Sequence, residues 1–213
     1  MKNNNVIFEK IAGFRIVPVI AIDSEAHALP LADALINGGL PLAEITFRTA
    51  AAAAVIRKIK KERPEIIIGA GTILTLENLH SAIDAGAIFG VAPGLNPEIV
   101  LEAARLSFPF IPGIITPSEI EKALSIGCRL LKFFPAGDAG GAKMLKSLSG
   151  PYSHTGVKFM PTGGVTVENV KDYLELPAVA AVGGTWIAKR EDISTGRWER
   201  IEENCRQALQ HVK

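Results

Sequence analysis

The chain has 213 residues and a formal net charge of +1, and 48% of its residues are hydrophobic against 21% charged. This composition is typical of a folded globular protein and argues against a disordered chain. The balanced charge, with no basic stripe, predicts that nucleic acid is not a partner. No apolar stretch is long enough to span a bilayer, so we expect no membrane partner either.

Two further features predict a cytoplasmic location. Residues 1–5 are polar and the apolar stretch after them is interrupted by charges, which predicts that there is no signal peptide. The two cysteines, Cys128 and Cys205, are too few for a disulfide framework and suit a reducing compartment. We expect Cys128 to be a buried strand thiol and Cys205 to lie on a late helix.

Short apolar runs alternate along the chain with longer segments of helical spacing. Most of the runs are nearly continuous in apolar residues, as expected when both faces of a strand are covered. The predicted strands are 16–20, 42–47, 66–69, 88–91, 108–111, 129–133, 157–160 and 179–182. The predicted helices are 25–37, 50–62, 76–85, 97–106, 117–126, 141–148, 166–173 and 197–212.

Capping signals support several of these helices. Thr75, Asn96 and Thr116 each stand directly before a helical segment, where a side-chain oxygen can accept a free backbone N–H. The spacing of Thr116 and Glu119 fits a capping box.

Eight repeats of strand and helix with short links predict right-handed parallel βα units. At this length they favour a single (β/α)₈ TIM barrel over residues 1–213, with a short helix ahead of the first strand. An open doubly wound sheet is the structural alternative, but no Gly-x-Gly-x-x-Gly turn follows the first strand.

Chemistry in such a barrel gathers at the carboxyl ends of the strands. Glu44 and Thr46 share one side of the second strand because side chains alternate with period two, and Arg48 joins them only if the strand continues that far. A structural ion pair between Glu44 and Arg48 is the alternative to a functional role.

Lys132 stands near the end of an apolar strand, between Leu131 and Phe133. Desolvation among such neighbours disfavours the charged ammonium, and a neutral amine is the nucleophile that Schiff-base chemistry needs. The alternative is an ordinary strand-terminal lysine whose stem packs while its ammonium reaches water.

Two glycine pairs, Gly163-Gly164 and Gly183-Gly184, follow the seventh and eighth predicted strands. Glycine lets backbone N–H groups approach an anion, and barrels often bind phosphate at these two loops. Tight turns are the alternative.

No residue pattern indicates a metal or a cofactor. The four histidines fall in predicted helices or a loop and not at a strand exit, and no nicotinamide or redox fingerprint is present. The histidines are His27, His80, His154 and His211.

Short motifs recur across nearly the whole chain. In chain order, they are Val17-Pro18-Val19-Ile20, Glu44-x-Thr46-x-Arg48-Thr49, Gly69-Ala70-Gly71-Thr72, Pro93-Gly94, Ile111-Pro112-Gly113, Lys132-Phe133-Phe134-Pro135-Ala136, Pro161-Thr162-Gly163-Gly164 and Gly183-Gly184-Thr185-Trp186. Taken together, these motifs resemble the class I aldolases that act on 2-keto-3-deoxy-6-phosphogluconate (KDPG), often also on 4-hydroxy-2-oxoglutarate (KHG).

The resemblance implies a homotrimeric (β/α)₈ enzyme that cleaves KDPG to pyruvate and glyceraldehyde 3-phosphate, and KHG to pyruvate and glyoxylate, without metal or cofactor. It assigns the Schiff base to Lys132 and proton transfer to Glu44. The residues that it assigns to the substrate are Arg48, Thr72, Pro93, Phe134 and Thr162, and those that it assigns to the phosphate are Gly163, Gly164, Gly184 and Thr185.

Two departures from the family pattern concern the phosphate side. Gly137 stands where relatives commonly have an acidic residue, and the segment 152–156 is longer than usual. We expect both to lie near the rim. Two other functions stay open from the sequence: a phosphosugar isomerase or epimerase, and a non-catalytic phosphosugar-binding barrel.

Overall fold

The computed structural model describes the backbone of residues 2–212 and the side chains of residues 6–212. Its strands are β1 Ile16–Ile20, β2 Leu42–Thr46, β3 Ile67–Gly71, β4 Gly90–Val91, β5 Phe110–Ile111, β6 Gly113–Ile114, β7 Leu130–Phe133, β8 Lys158–Pro161 and β9 Val182–Gly184. Its helices are α1 Lys2–Phe14, α2 Ala28–Asn37, α3 Ala52–Glu62, α4 Leu76–Asp84, α5 Pro97–Arg105, α6 Pro117–Ser125, α7 Gly141–Ser149, α8 Val170–Leu174, α9 Arg190–Ser194 and α10 Trp198–Gln210, with 3₁₀ turns at Glu25–His27 and Gly150–Thr155.

The predicted alternation of strand and helix is confirmed, and so are the three helix starts with a predicted cap residue. Thr75, Asn96 and Thr116 each accept a backbone N–H from the first turn of the helix that follows. The capping box between Thr116 and Glu119 is complete. Local side-chain chemistry therefore fixes where these helices begin.

Several elements differ from the prediction: the last strand, predicted at 179–182, is Val182–Gly184, and the first residues of the predicted helix 25–37 form a 3₁₀ turn. Pro112 has no N–H, and a separate short strand, β6, follows it. The predicted helix 166–173 begins only at Val170, because the Asn169 side chain accepts the Thr166 N–H and holds the preceding residues in a turn. The short helix α9 was not predicted.

All strand pairs are parallel and belong to two adjoining sheets. Six strands lie in the order β5-β4-β3-β2-β1-β9, and three lie in the order β6-β7-β8. The sheets are joined at Pro112, between β5 and β6, and two isolated bridges, Phe159–Val179 and Thr162–Gly183, link β8 to the β9 segment. The result is an α/β fold built on a curled parallel sheet.

Side chains alternate between an inner and an outer apolar cluster. The outer cluster lies between the strands and the helices, and it includes Ile45 and Leu131. The inner cluster takes a residue from most strands and Ile11 from α1, which covers the amino ends of the strands. Its members are Ile11, Val17, Leu42, Phe89, Val91, Ile111, Leu130, Met160 and Ala181. Residues two positions beyond these along a strand point to the same interior, nearer the carboxyl ends.

The segment 152–156 lies at the other end of the sheet from the glycine pairs. It forms most of the 3₁₀ turn Gly150–Thr155 just before β8 begins, and Gly156 lies beside Phe8 and Glu9 of α1. The expectation that it lies near the rim was therefore wrong, because it precedes its strand while the rim follows it.

The two thiols also have clear positions. Cys205 is buried on α10 as expected, whereas Cys128 is buried in the connection just before β7 and not in the strand itself. Within residues 2–212, no helix combines the length and the apolar content needed to cross a membrane.

Candidate active site

Lys132 and Glu44 meet inside the curled sheet. Lys132 lies two residues beyond Leu130 on β7, and Glu44 lies two residues beyond Leu42 on β2, so strand alternation directs both inward. Lys132 is 5% exposed and Glu44 is fully buried. The Lys132 Nζ lies 3.4 Å from Glu44 Oε1 and 5.4 Å from the centroid of the Phe134 ring. The structure thus holds an amine against a carboxylate in an apolar interior.

The second oxygen of the Glu44 carboxylate has no partner. Glu44 Oε2 is buried and makes no hydrogen bond to any residue that the structure describes. Buried carboxylate oxygens are normally hydrogen-bonded, so this one stands out as an acceptor available to a water or a substrate proton.

Gly71 makes room for this carboxylate. A Cβ on Gly71 of β3 would overlap the Glu44 side chain, including Oε1 and Cγ. Only glycine at this position lets Glu44 extend toward Lys132 without displacement. In the sequence Gly71 belongs to the motif Gly69-Ala70-Gly71-Thr72, which by itself predicts no role for it. Period two on β3 would have pointed it inward, but the register with β2 was needed to bring it to Glu44.

Arg48 follows the end of β2 and is anchored through its Nε. Arg48 Nε donates to Thr46 Oγ1 at 3.2 Å, and Thr46 Oγ1 donates to the Ile20 carbonyl at 2.9 Å. The carboxylate of Glu44 pairs with Lys132, so the alternative of a Glu44–Arg48 ion pair was wrong. Within residues 6–212, the terminal nitrogens of Arg48 make no hydrogen bond or ion pair and remain available to a ligand.

Thr72 stands at the exit of β3 in a strained backbone conformation. Its φ angle is +58°, which places a β-branched residue in the left-handed region. Such strain costs about 1–3 kcal/mol and is found disproportionately at ligand sites. Pro93 lies at the neighbouring exit of β4, where its backbone approaches Gly113 so closely that a Cβ on Gly113 would overlap it.

Thr162 connects the exits of β8 and β9. It is 2% exposed, pairs with Gly183 in an isolated bridge, and fills the space where a Cβ on Gly183 would be. Trp186 packs in the same way against Gly184, with ring atoms 2.6 Å from the position of a Cβ. The second glycine pair therefore has a packing reason that is independent of any anion.

The first glycine pair differs because its conformation requires glycine. Gly163 and Gly164 have φ angles of +86° and +75°. The backbone N–H groups of Gly164 and Thr185 donate to no acceptor in the part of the chain that the structure describes. Free N–H groups at two neighbouring strand exits form a cradle suited to an anion. Across the loop, Asn204 of α10 donates to the carbonyls of Trp186 and Ile187 at 3.3 and 3.0 Å and so orients the chain after β9.

The comparison with protein families agrees with this geometry. The profile of the aldolase family described as KDPG and KHG aldolase matches residues 7–204. The chain belongs to this family.

Curated members of the KDPG and KHG aldolase family resemble the chain over nearly its whole length. The 2-dehydro-3-deoxy-phosphogluconate aldolase of Haemophilus influenzae is 45% identical over 207 residues, which is 97% of each chain. The KHG/KDPG aldolase of Escherichia coli K12 is 41% identical over 198 residues, covering 93% of this chain and 92% of the relative.

A solved structure of a family member shows the chemistry of one relative. The KDPG aldolase of Legionella pneumophila has 40% identity and a TM-score of 0.89, and the match covers 95% of this chain and 96% of the relative. That structure contains pyruvate captured at low pH as a covalent carbinolamine intermediate.

Gly137, the expected departure from the family pattern, lies against the first glycine pair. Its N–H donates to the Gly163 carbonyl at 2.8 Å, and a Cβ on it would lie 3.1 Å from Gly164 Cα. This departure therefore lies next to the candidate phosphate cradle, as expected from the sequence.

Other chemical groups in this aldolase are less suited to catalysis. Burial raises the pKa of Cys128 to about 11 and that of Cys205 to about 12, so both thiols are protonated at neutral pH. Over residues 6–212, no group of three or more His, Cys, Asp and Glu side chains is placed to hold a metal ion. A reaction without a metal stays a prediction.

Proposed function

We propose that the chain is a Schiff-base aldolase that cleaves KDPG to pyruvate and glyceraldehyde 3-phosphate, and also KHG to pyruvate and glyoxylate. One observation carries the proposal: a buried lysine amine lies 3.4 Å from a buried carboxylate whose second oxygen has no partner within the described chain. Family membership supports it. No metal or cofactor is required, because the lysine-bound intermediate itself accepts the electrons of the broken bond.

The proposed reaction begins when the neutral Lys132 amine attacks the C2 ketone of the substrate. Loss of water from the carbinolamine gives an iminium, and Glu44 carries the protons of this step. A base then takes the C4 hydroxyl proton, the C3–C4 bond breaks, and its electron pair moves into the iminium. The aldehyde leaves and an enamine of pyruvate remains. Protonation at C3 and addition of water release pyruvate and restore the amine.

Arg48 and Thr72 are proposed to bind the carboxylate next to the reacting ketone. A guanidinium can hold a carboxylate by two parallel hydrogen bonds, and the terminal nitrogens of Arg48 are available for this. Pro93 and Phe134 are proposed to line the reacting carbon, and Thr162 to lie near the hydroxyl on the aldehyde side.

The phosphate of KDPG is proposed to bind at Gly163, Gly164, Gly184 and Thr185. The free N–H groups of Gly164 and Thr185 support this placement. Binding energy from a phosphate remote from the breaking bond helps to hold the substrate in its reactive geometry.

We propose further that the curled sheet is a closed eight-strand barrel formed by a single domain over residues 1–213. In this arrangement β5 and β6 act as one strand interrupted at Pro112, and the bridges from β8 to Val179 and Gly183 close the ring. The contact between Lys132 and Glu44 supports closure, because it joins strands that lie far apart in the sheet order.

A homotrimer in the cytoplasm completes the proposal. Family resemblance supports the trimer, and the exposure of Leu74 and Ile115, which follow β3 and β6, is consistent with a covered apolar face. The free cysteines fit a reducing compartment. Light scattering should give three times the chain mass of 22.7 kDa.

The function is tested by measuring pyruvate release from KDPG and from KHG, with EDTA present. We expect release from both, and loss of at least about 10⁴-fold in Lys132→Met, which removes the nucleophile. Lys143→Met, on the exposed side of α7, is the matched control and should retain activity.

Both alternative functions predict a different result. An isomerase or epimerase would convert a phosphosugar without forming pyruvate, and a binding barrel would release nothing. Neither has a use for a nucleophilic lysine held against an acceptor. If no pyruvate is released from either substrate, the proposed function is wrong.

A further inference from the structure

We propose that Thr46 is a positioning residue that orients Arg48 for the substrate carboxylate. This inference rests on the proposed function, and it gives a role to a side chain that makes no proposed contact with substrate. Thr46 is the last residue of β2 and is 1% exposed. Because Thr46 is buried and held in the strand, its hydroxyl has a fixed position next to the long, exposed side chain of Arg48.

The hydroxyl of Thr46 is engaged on both sides. Its one hydrogen is donated to the Ile20 carbonyl at the end of β1, 2.9 Å away. With the hydrogen committed there, the oxygen can only accept, and it accepts from Arg48 Nε at 3.2 Å. The hydrogen bonds therefore run from Arg48 through Thr46 to the neighbouring strand.

This arrangement leaves the two terminal nitrogens of Arg48 free to bind a carboxylate. A guanidinium has five N–H donors in a fixed plane, and one of them, on Nε, is used by Thr46. The remaining donors are on the two terminal nitrogens, whose parallel N–H groups match a carboxylate. Fixing Nε also reduces the rotamer freedom that Arg48 would otherwise lose when substrate binds.

Thr49 provides a matched control on the same segment. Its hydroxyl donates to the Ile22 carbonyl at 2.6 Å, so it makes a comparable bond to the chain after β1. It makes no hydrogen bond to Arg48 within the described residues. Thr49→Val therefore removes a similar structural bond without touching the orientation of the guanidinium.

The test is a double-mutant cycle between Thr46→Val and Arg48→Ala, with steady-state kinetics on KDPG and KHG. Thr46→Val should raise KM about tenfold for both substrates, because both carry the same carboxylate, with a smaller change in kcat. Thr46→Ser keeps the hydroxyl and should stay within about twofold of the unsubstituted enzyme, as should Thr49→Val. In the Arg48→Ala background, Thr46→Val should raise KM by less than about twofold.

Equal increases in KM in both backgrounds would overturn the proposal, because Thr46 would then act independently of Arg48. An unchanged KM in Thr46→Val would overturn it too. Turnover of the unsubstituted enzyme tests the proposed function. The increase in KM caused by Thr46→Val, compared between the Arg48 and Arg48→Ala backgrounds, tests the role of Thr46. A failure of the proposed function can therefore be distinguished from a failure of this inference. If Thr46→Val loses the native circular dichroism spectrum, Thr46→Ala replaces it in the double-mutant cycle.

Discussion

The two ends of the candidate site are built in different ways. At the Lys132 end, buried side chains from opposite parts of the sheet meet, and strand register fixes their positions. At the Gly163-Gly164 end, exposed loops present backbone N–H groups in conformations that favour glycine. The first end is suited to bond making and proton transfer, and the second to holding an anion.

This difference predicts separable effects of mutation. Changes at the buried end should affect every substrate that has a 2-keto acid group, because all of them react with the same lysine. Changes at the loop end should affect only the substrate that carries a phosphate. Three substitutions test this separation, from the largest expected effect to the smallest.

The largest of these effects is expected for Glu44→Gln. The amide keeps the size of the carboxylate but cannot carry protons, and general acid–base groups typically contribute about 10²–10⁴-fold. Turnover of KDPG and KHG should both fall by such a factor while pyruvate still binds. Glu65→Gln, on the exposed surface, is the control. Near-normal turnover in a folded Glu44→Gln protein would show that Glu44 has only a structural role.

Gly71→Ala should have an intermediate effect. The added methyl group would overlap the Glu44 carboxylate and force it away from Lys132, so kcat should fall by about 10–100-fold for both substrates. Gly150→Ala adds the same methyl group where no atom lies within 4 Å and should leave kcat unchanged. Equal kcat values in the two variants would show that the position of the carboxylate does not limit the reaction.

The smallest effect, and the most selective, is expected for Gly164→Ala. Its φ of +75° disfavours alanine, and a Cβ would lie 2.9 Å from Gly137 Cα, so the N–H groups of the loop should shift. We expect kcat/KM to fall about tenfold more for KDPG than for KHG. The control is Gly127→Ala, which has a φ of +88°, no neighbour within 4 Å, and a position at the other end of β7.

An equal loss of kcat/KM for KDPG and KHG in Gly164→Ala would contradict the separation between the two ends of the site. In that case the first glycine pair would serve the geometry of the fold, and the phosphate would bind elsewhere. Gly184 is a poorer choice for this experiment, because a side chain there would collide with Trp186.

Local patterns in the sequence predicted the alternating strands and helices from which the fold is built. Apolar runs gave the strands, and cap residues such as Thr116 gave the helix starts, because both depend on neighbours within a few positions. Period-two alternation also predicted correctly that Glu44 and Thr46 share a side. The inward direction of Lys132 follows from the same rule once Leu130 is known to be inside.

Long-range placement could not be predicted in this way. The contact between Lys132 and Glu44 joins residues 88 positions apart and depends on how the sheet curls. The role of Gly71 depends on its register with β2, and the packing of Thr162 and Trp186 against Gly183 and Gly184 depends on rotamers. None of these is encoded in spacing along the chain. The pairing of Glu44 with Arg48 failed as an alternative for the same reason.

The central claim is that Lys132 forms the Schiff base, and covalent trapping tests it most directly. The protein would be incubated with pyruvate and borohydride, which reduces an iminium to a stable amine, and the labelled peptide would be identified by mass spectrometry. The account predicts one pyruvate-derived adduct per chain, on Lys132, together with loss of activity, and no adduct in Lys132→Met. An adduct on Lys143 or Lys146 with Lys132 unmodified, or no adduct at all, would contradict it.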